Sequence, residues 1–151
     1  MGTRSFIAHQ TEKGFEGVYC HYDGYLAFNG KILDEHYDDS EKVAQLIAGG
    51  DISTLAPTIG HKHNFHDFDN RPEGQTTFYH RDRGDVWRCC QPKRLNSMKS
   101  LLKHAGERGC EYVYLFDDFA WHYAKRGVQY FGISDGSEFL AMKPIPENYN
   151  G

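Results

Sequence analysis

The chain is expected to fold as one α+β domain, with a mainly antiparallel sheet and about three helices in the order ββ-αα-β-α-ββββ. Three observations lead there. Short runs rich in aromatic and β-branched residues gather towards both ends and are broken by Gly- and Asp-containing turns. Between them, apolar residues recur at helical spacing in three places, each behind a capping residue. Strands and helices also come in blocks rather than in strict alternation, which favours an antiparallel sheet with helices packed on it over a parallel βαβ array. At 151 residues the chain has the length of a single domain spanning 1–151, with 1–4 and 144–151 expected to be loose.

Each element follows from local chemistry. Ser5–Gln10 and Phe15–His21 flank the turn-prone Glu12-Lys13-Gly14 and read as a hairpin, which Asp23-Gly24 stops. From Tyr25 the period becomes helical, with Leu26, Asn29 or Gly30, Leu33 and Tyr37 on one stripe and Ile32 and His36 beside it. In the second helix Ser40 is the expected cap, Glu41 suits the positive end of the dipole, and Val43, Leu46 and Ile47 form the apolar face. Gly49-Gly50 ends it, and Asp51–Leu55 reads as one more short turn before Pro57.

Residues 60–75 are polar, His-rich and aperiodic, the pattern of a long surface loop. Thr76–His80 returns to strand chemistry and leads into Arg81-Asp82-Arg83-Gly84. Asn96 or Ser97 caps a third helix carrying Met98, Leu101, Leu102 and Ala105. A meander closes the chain: Cys110–Phe116 turns at Asp117-Asp118 into Phe119–Tyr123, and Val128–Ile133 turns at Asp135-Gly136 into Phe139–Ala141.

Composition narrows the function classes. A net charge of −4 argues against a dedicated duplex-DNA binder, although a local arginine cluster in an acidic protein can still grip an anion. No apolar run reaches the length of a membrane span, and no charged-then-apolar leader precedes Gly2, so a bacterial cytoplasm is the expected compartment. There the four cysteines, Cys20, Cys89, Cys90 and Cys110, are expected as reduced structural thiols. The high aromatic share suits either a β-rich core or a ring-lined binding surface. No cofactor is expected, since neither a Walker-type glycine loop nor a dinucleotide fingerprint is present, and no nucleophile elbow is visible.

Several short blocks stand in fixed order: Gly2-Thr3-Arg4-Ser5, Tyr19 to Tyr25, Asn29-Gly30 with Leu33 and His36-Tyr37, Gly50-Asp51-Ile52-Ser53, Lys62-His63, Phe78 to Gly84, and Tyr114-Leu115-Phe116. Through them the chain resembles a family of small proteins encoded by tailed bacteriophages and prophages. It departs from that family at Tyr22, where Trp is common, at His80, where Gly is common, and in continuing well past Phe116. The resemblance implies a phage accessory protein acting in the host bacterial cytoplasm. Host takeover or counter-defence is the implied role, with a host protein or an anionic small molecule, such as a phosphate-bearing nucleotide signal, as the partner.

Three groups of residues could carry chemistry. His21 and Asp23, two apart at the end of a strand, would share a face and could meet. His36 could fold back towards them, and Tyr19, Tyr22 and Tyr25 would ring the pocket. The alternative is structural: Asp23 makes the turn and caps the following helix. Arg81 and Arg83, on one side of an extended chain, could hold a phosphate or carboxylate bidentately, or pair with Asp82 as scaffold.

His61, His63, His66 and Asp67 have the ligand types for zinc or another transition metal. Their order departs from that of metallo-β-lactamase-fold hydrolases, in which the Asp precedes the third His. The leading expectation is therefore a non-enzymatic binder using Tyr19, His21, Tyr22, Asp23, Tyr25, His36, Arg81 and Arg83. A small metal-dependent hydrolase or nuclease is the second reading, and a minor virion component the third.

Overall fold

The computed structural model describes residues 3–64, 72–127 and 132–150. Eight strands form one sheet among them: β1 Ser5–Thr11, β2 Gly14–Cys20, β3 Ile52–Thr54, β4 Thr77–Phe78, β5 Lys93–Leu95, β6 Tyr112–Phe116, β7 Trp121–Lys125 and β8 Lys143–Pro144. Their order is β4-β3-β2-β1-β6-β7-β8, with β5 lying against β2. Most pairings are antiparallel, as expected for this α+β domain; β1–β6 and β2–β3 are parallel.

Helices cover both faces. Four α-helices are described: α1 Lys31–His36, α2 Ser40–Ala48, α3 Trp87–Cys90 and α4 Met98–Glu107. On one face Leu33, Val43, Leu46 and Ile47 of α1 and α2 pack on Ile7, Val18, Cys20, Tyr114 and Phe116. On the other, Leu101 and Ala105 of α4 meet Phe6, Ala8, Tyr19 and Val113. The alternation of side chains along β1 and β2 sorts them between these two cores. Burying one such aliphatic or aromatic side chain contributes about 1.5–3 kcal/mol, so both faces stabilise the sheet.

Several elements depart from the sequence reading. The helix expected from Tyr25 is two pieces, a π-helical turn over Leu26–Gly30 followed by α1. The cap of α2 is Asp39, whose carboxylate accepts from Lys42 N–H at 2.8 Å, and Ser40 is the first helical residue. The expected turn at Asp51–Leu55 is instead β3, bonded to the end of β2 and to β4. Three residues are too few to display a period of two, so pairing partners rather than pattern decide it. For the same reason α3 and β5 left no signal.

In the last third, β6 and β7 form as expected, while Val128–Phe131 lie outside the described residues. Phe139, expected in a hairpin strand, makes a single bridge to Arg126, and the strand that closes the sheet is β8.

Candidate functional site

The C-terminal end of β2 delivers Tyr19 and His21 onto the α4 face, just beyond the end of that helix. Antiparallel register sets Ser5 opposite Cys20, and continuing it by one pair places Arg4 beside His21. Three hydrogen bonds fix the corner. Gly24 N–H donates to the Thr3 carbonyl at 2.7 Å, Glu111 N–H to the Arg4 carbonyl at 2.9 Å, and His21 N–H to the Ile52 carbonyl at 3.0 Å. The Tyr19 hydroxyl and Nδ1 of His21 lie 2.7 Å apart. The Tyr22 ring meets the His21 ring edge-on, with centroids 4.5 Å apart.

Three arginines from distant parts of the chain surround this pair. Arg108, at the C-cap of α4, lies with its guanidinium 4.3 Å from the centre of the Tyr19 ring. Arg83 donates to the Ser53 hydroxyl at 3.2 Å and sits 5.0 Å from the centre of the Tyr79 ring. Arg4 is exposed and passes over Gly109, where a Cβ would stand 2.9 Å from Nη1.

The carboxylate buried at this corner is Asp51. Its Oδ1 accepts from Tyr19 N–H at 3.0 Å, and its Oδ2 from Arg108 at 3.3 Å. Burial raises the Asp51 carboxyl above the ordinary value, against the pull of the Tyr19 amide and Arg108. Burial pushes the Tyr19 hydroxyl up to about 12. Burial, then the charges of Arg4 and Arg83, hold His21 below the ordinary imidazole value.

The expected site residues divide. Tyr19, His21, Tyr22 and Arg83 are brought together. Asp23 is not: it adopts a left-handed φ of 59° and forms no ion pair with His21 among the described residues. Nor does its side chain cap the following helix; its carbonyl accepts from Asn29 N–H at 3.1 Å. Tyr25 pairs with the Phe28 ring at 6.1 Å, and His36 is exposed at the end of α1 without a contact to His21. Arg4, Arg108, Asp51, Ser53 and Tyr79 were not anticipated, because only long-range pairing unites them.

Arg81 is scaffold. Its guanidinium donates to the carbonyls of Ile59, Gly60 and Thr76 at 3.0, 3.1 and 2.8 Å, and to Asp82 Oδ1 at 2.9 Å. Asp82, fully buried at its side chain, also accepts from His63 N–H and Phe78 N–H. The expected extended segment is in fact wound: Asp82 N–H bonds Phe78 C=O, and Gly84 N–H bonds His80 C=O. At about 100° per residue, side chains two positions apart then point to opposite sides. That is why Arg81 and Arg83 part.

The His-rich stretch is tied down in the same way. The His63 ring bonds the His61 carbonyl and the Thr77 hydroxyl, each at 3.1 Å, while His61 N–H donates to Gln75. His66 and Asp67 lie outside the described residues. Among the described residues no three His, Cys, Asp or Glu side chains are grouped to hold a metal ion.

Compared with protein families, curated proteins and solved structures, the chain matches none of them.

Proposed function

We propose that this protein is a non-enzymatic binder that captures an anionic, phosphate-bearing molecule at the corner formed by Arg4, Arg83 and Arg108. The observation that carries the reading is the gathering of three guanidinium groups around the Tyr19–His21 pair, Arg108 over the Tyr19 ring and Arg4 and Arg83 near enough to disfavour a charged His21. Guanidinium groups match the oxygens of a phosphate in charge and in fork geometry, and the neighbouring tyrosines supply a neutral wall. The phage resemblance makes the captured molecule a host component, and the host cytoplasm the place of action.

Titration calorimetry with inorganic phosphate at low ionic strength tests the reading. Binding by the native chain, reduced at least about tenfold in Arg4→Ala and Arg83→Ala, supports it. An equal affinity in all three proteins refutes it.

A further inference from the structure

We infer that the corner is one end of a cationic, ring-lined strip that continues onto α3 and β5, and that its ligand is a single-stranded nucleic acid. Phosphates lie on Arg4, Arg108, Arg88 and Lys93, and bases against Tyr22 and Trp87. The inference rests on reading the corner as an anion site. Its first support is a buried residue that ties four segments together beneath the surface. The Asp51 carboxylate accepts from Tyr19 N–H of β2 at 3.0 Å and from Arg108, at the end of α4, at 3.3 Å. Its own N–H donates to the Cys90 carbonyl at 2.7 Å, and its carbonyl accepts from Tyr79 N–H at 3.1 Å. The end of α3, which carries Trp87 and Arg88, is thereby held beside the corner.

The second support is charge without counter-charge. Arg4, Arg88 and Lys93 are exposed, and none of them forms an ion pair among the described residues. Lys93 stands opposite Gly17 where β5 pairs with β2. The charges of Arg108 and Lys93 add to burial in disfavouring a charged His104, so β5 and the end of α4 bring their cations to one place. Arg4 passes over Gly109, next to Arg108. Asp85 and Glu107 border the strip, and neither pairs with these cations among the described residues. The acid of the chain is concentrated elsewhere. On the opposite face of the sheet, α1 and α2 with the turn between them carry five acidic residues against two lysines. A local row of cations in an acidic protein suits a chain of phosphates better than a single one.

The third support is the rings. Trp87 and Tyr22 are 38% and 41% exposed, yet their neighbours hold them in place. Trp87 lies across Gly50, where a Cβ would come within 3.0 Å of it, and meets the His80 ring at 5.2 Å. Tyr22 is set edge-on to His21. A fixed, uncovered ring offers a stacking face to any unpaired base, whatever its identity. In a duplex those base faces are already stacked on one another, so rings beside a row of cations select the single strand.

Fluorescence anisotropy of the full chain with labelled single strands of about twelve thymidylates or uridylates, at low ionic strength, tests this. Sulfate, measured by calorimetry, is the single-anion reference. A strand should bind at least about tenfold more tightly than sulfate, and than a duplex of the same length. Its log affinity should fall against log salt with a slope of about −3 for four phosphate contacts. Arg88→Ala and Lys93→Ala should each weaken the strand about three- to tenfold and reduce that slope by about 0.7, with sulfate affinity unchanged. Lys99→Ala should change neither, because at about 100° per residue it lies half a turn around α4 from Arg108. The chain has two tryptophans, of which Trp121 is buried, so the strand should quench Trp87 emission and Trp87→Phe should abolish the quenching. Tripolyphosphate separates a strand from a bare polyphosphate: it should bind more weakly and leave the emission unchanged. Sulfate binding without binding of either strand, equal affinity for duplex or tripolyphosphate, unquenched Trp87, or undiminished strand affinity in Arg88→Ala and Lys93→Ala overturns this inference and leaves the anion site standing. Failure of every anion to bind removes both.

Discussion

Arg81 and Arg83 stand two residues apart on one turn yet serve opposite sides of it. The Arg81 guanidinium is 3.0 Å from the Ile59 carbonyl, inside the loop that precedes β4, whereas that of Arg83 is 3.2 Å from the Ser53 hydroxyl at the corner that holds His21. One arginine closes the fold and the other faces the site. Asp82 between them fixes the division, because its buried carboxylate bonds Arg81 and the Phe78 amide and thereby winds the turn.

The two arginines should separate in a stability measurement. Arg81→Ala leaves three carbonyls and the buried Asp82 short of a donor, and should cost about 2–4 kcal/mol, lowering Tm by roughly 5–15 °C. Lysine should not rescue it, since a point charge cannot reach several carbonyls at once. Arg83→Ala should cost less than about 1 kcal/mol and act on anion affinity instead. Equal thermal losses in the two variants would mean that Arg83 is scaffold as well.

Much of this was legible before any coordinates, and the remainder was not, for identifiable reasons. Ser97 announced α4, and the apolar stripe of Val43, Leu46 and Ile47 announced α2, because caps and helical spacing are local signals. Tyr19, His21, Tyr22 and Arg83 were legible as a polar, aromatic set at strand ends. Arg4 and Arg108 were not, since their convergence follows from the β1–β2 register and from where α4 stops. Asp51 was read as part of a turn because β3 is too short to reveal itself. The divergence of Arg81 from Arg83 depends on whether residues 79–84 are extended or wound, and Asp82's bonds decide that only once the fold exists.

Tyr114 links the core to the corner. Its hydroxyl donates to the Gly24 carbonyl at 2.5 Å, and Gly24 N–H in turn holds the Thr3 carbonyl, one residue before Arg4. Tyr114→Phe should cost about 1–2 kcal/mol by leaving a buried carbonyl unpaired. It should also weaken sulfate binding by loosening Arg4. Tyr37→Phe removes a comparable bond, to Ala56 C=O at 2.8 Å, and should lower stability without touching affinity. Urea unfolding and calorimetry on the pair check both halves.

Acid should destabilise the protein through its half-buried histidines. Burial, then the charges of Arg108 and Lys93, hold His104 below the ordinary imidazole value, and its buried Nε2 has no hydrogen-bond partner among the described residues. His21 is shifted in the same direction. The unfolded chain protonates both at about pH 6.5, before the folded chain does. Stability is therefore complete above that pH and declines as pH falls through and below it towards the folded values. His104→Leu should flatten this limb in urea unfolding followed from pH 7.5 to 5. His104 packs edge-on against Phe6 at 5.2 Å, so an apolar replacement is compatible with the site. An unchanged slope would show that His104 titrates alike in both states.

Gly109 isolates the contribution of Arg4 from that of backbone strain. Its φ is +77°, and a Cβ there would press on the Arg4 guanidinium; Gly74 has a similar φ of +72° with nothing nearby. Alanine at either position carries the same left-handed penalty, about 1–2 kcal/mol. Only Gly109→Ala also displaces a guanidinium from the corner. Both variants should therefore lose similar stability, while sulfate affinity falls in Gly109→Ala about as far as in Arg4→Ala and is retained in Gly74→Ala. Retained affinity in Gly109→Ala would mean that the Arg4 guanidinium binds equally well from a displaced position, and that preorganisation over Gly109 contributes nothing to capture.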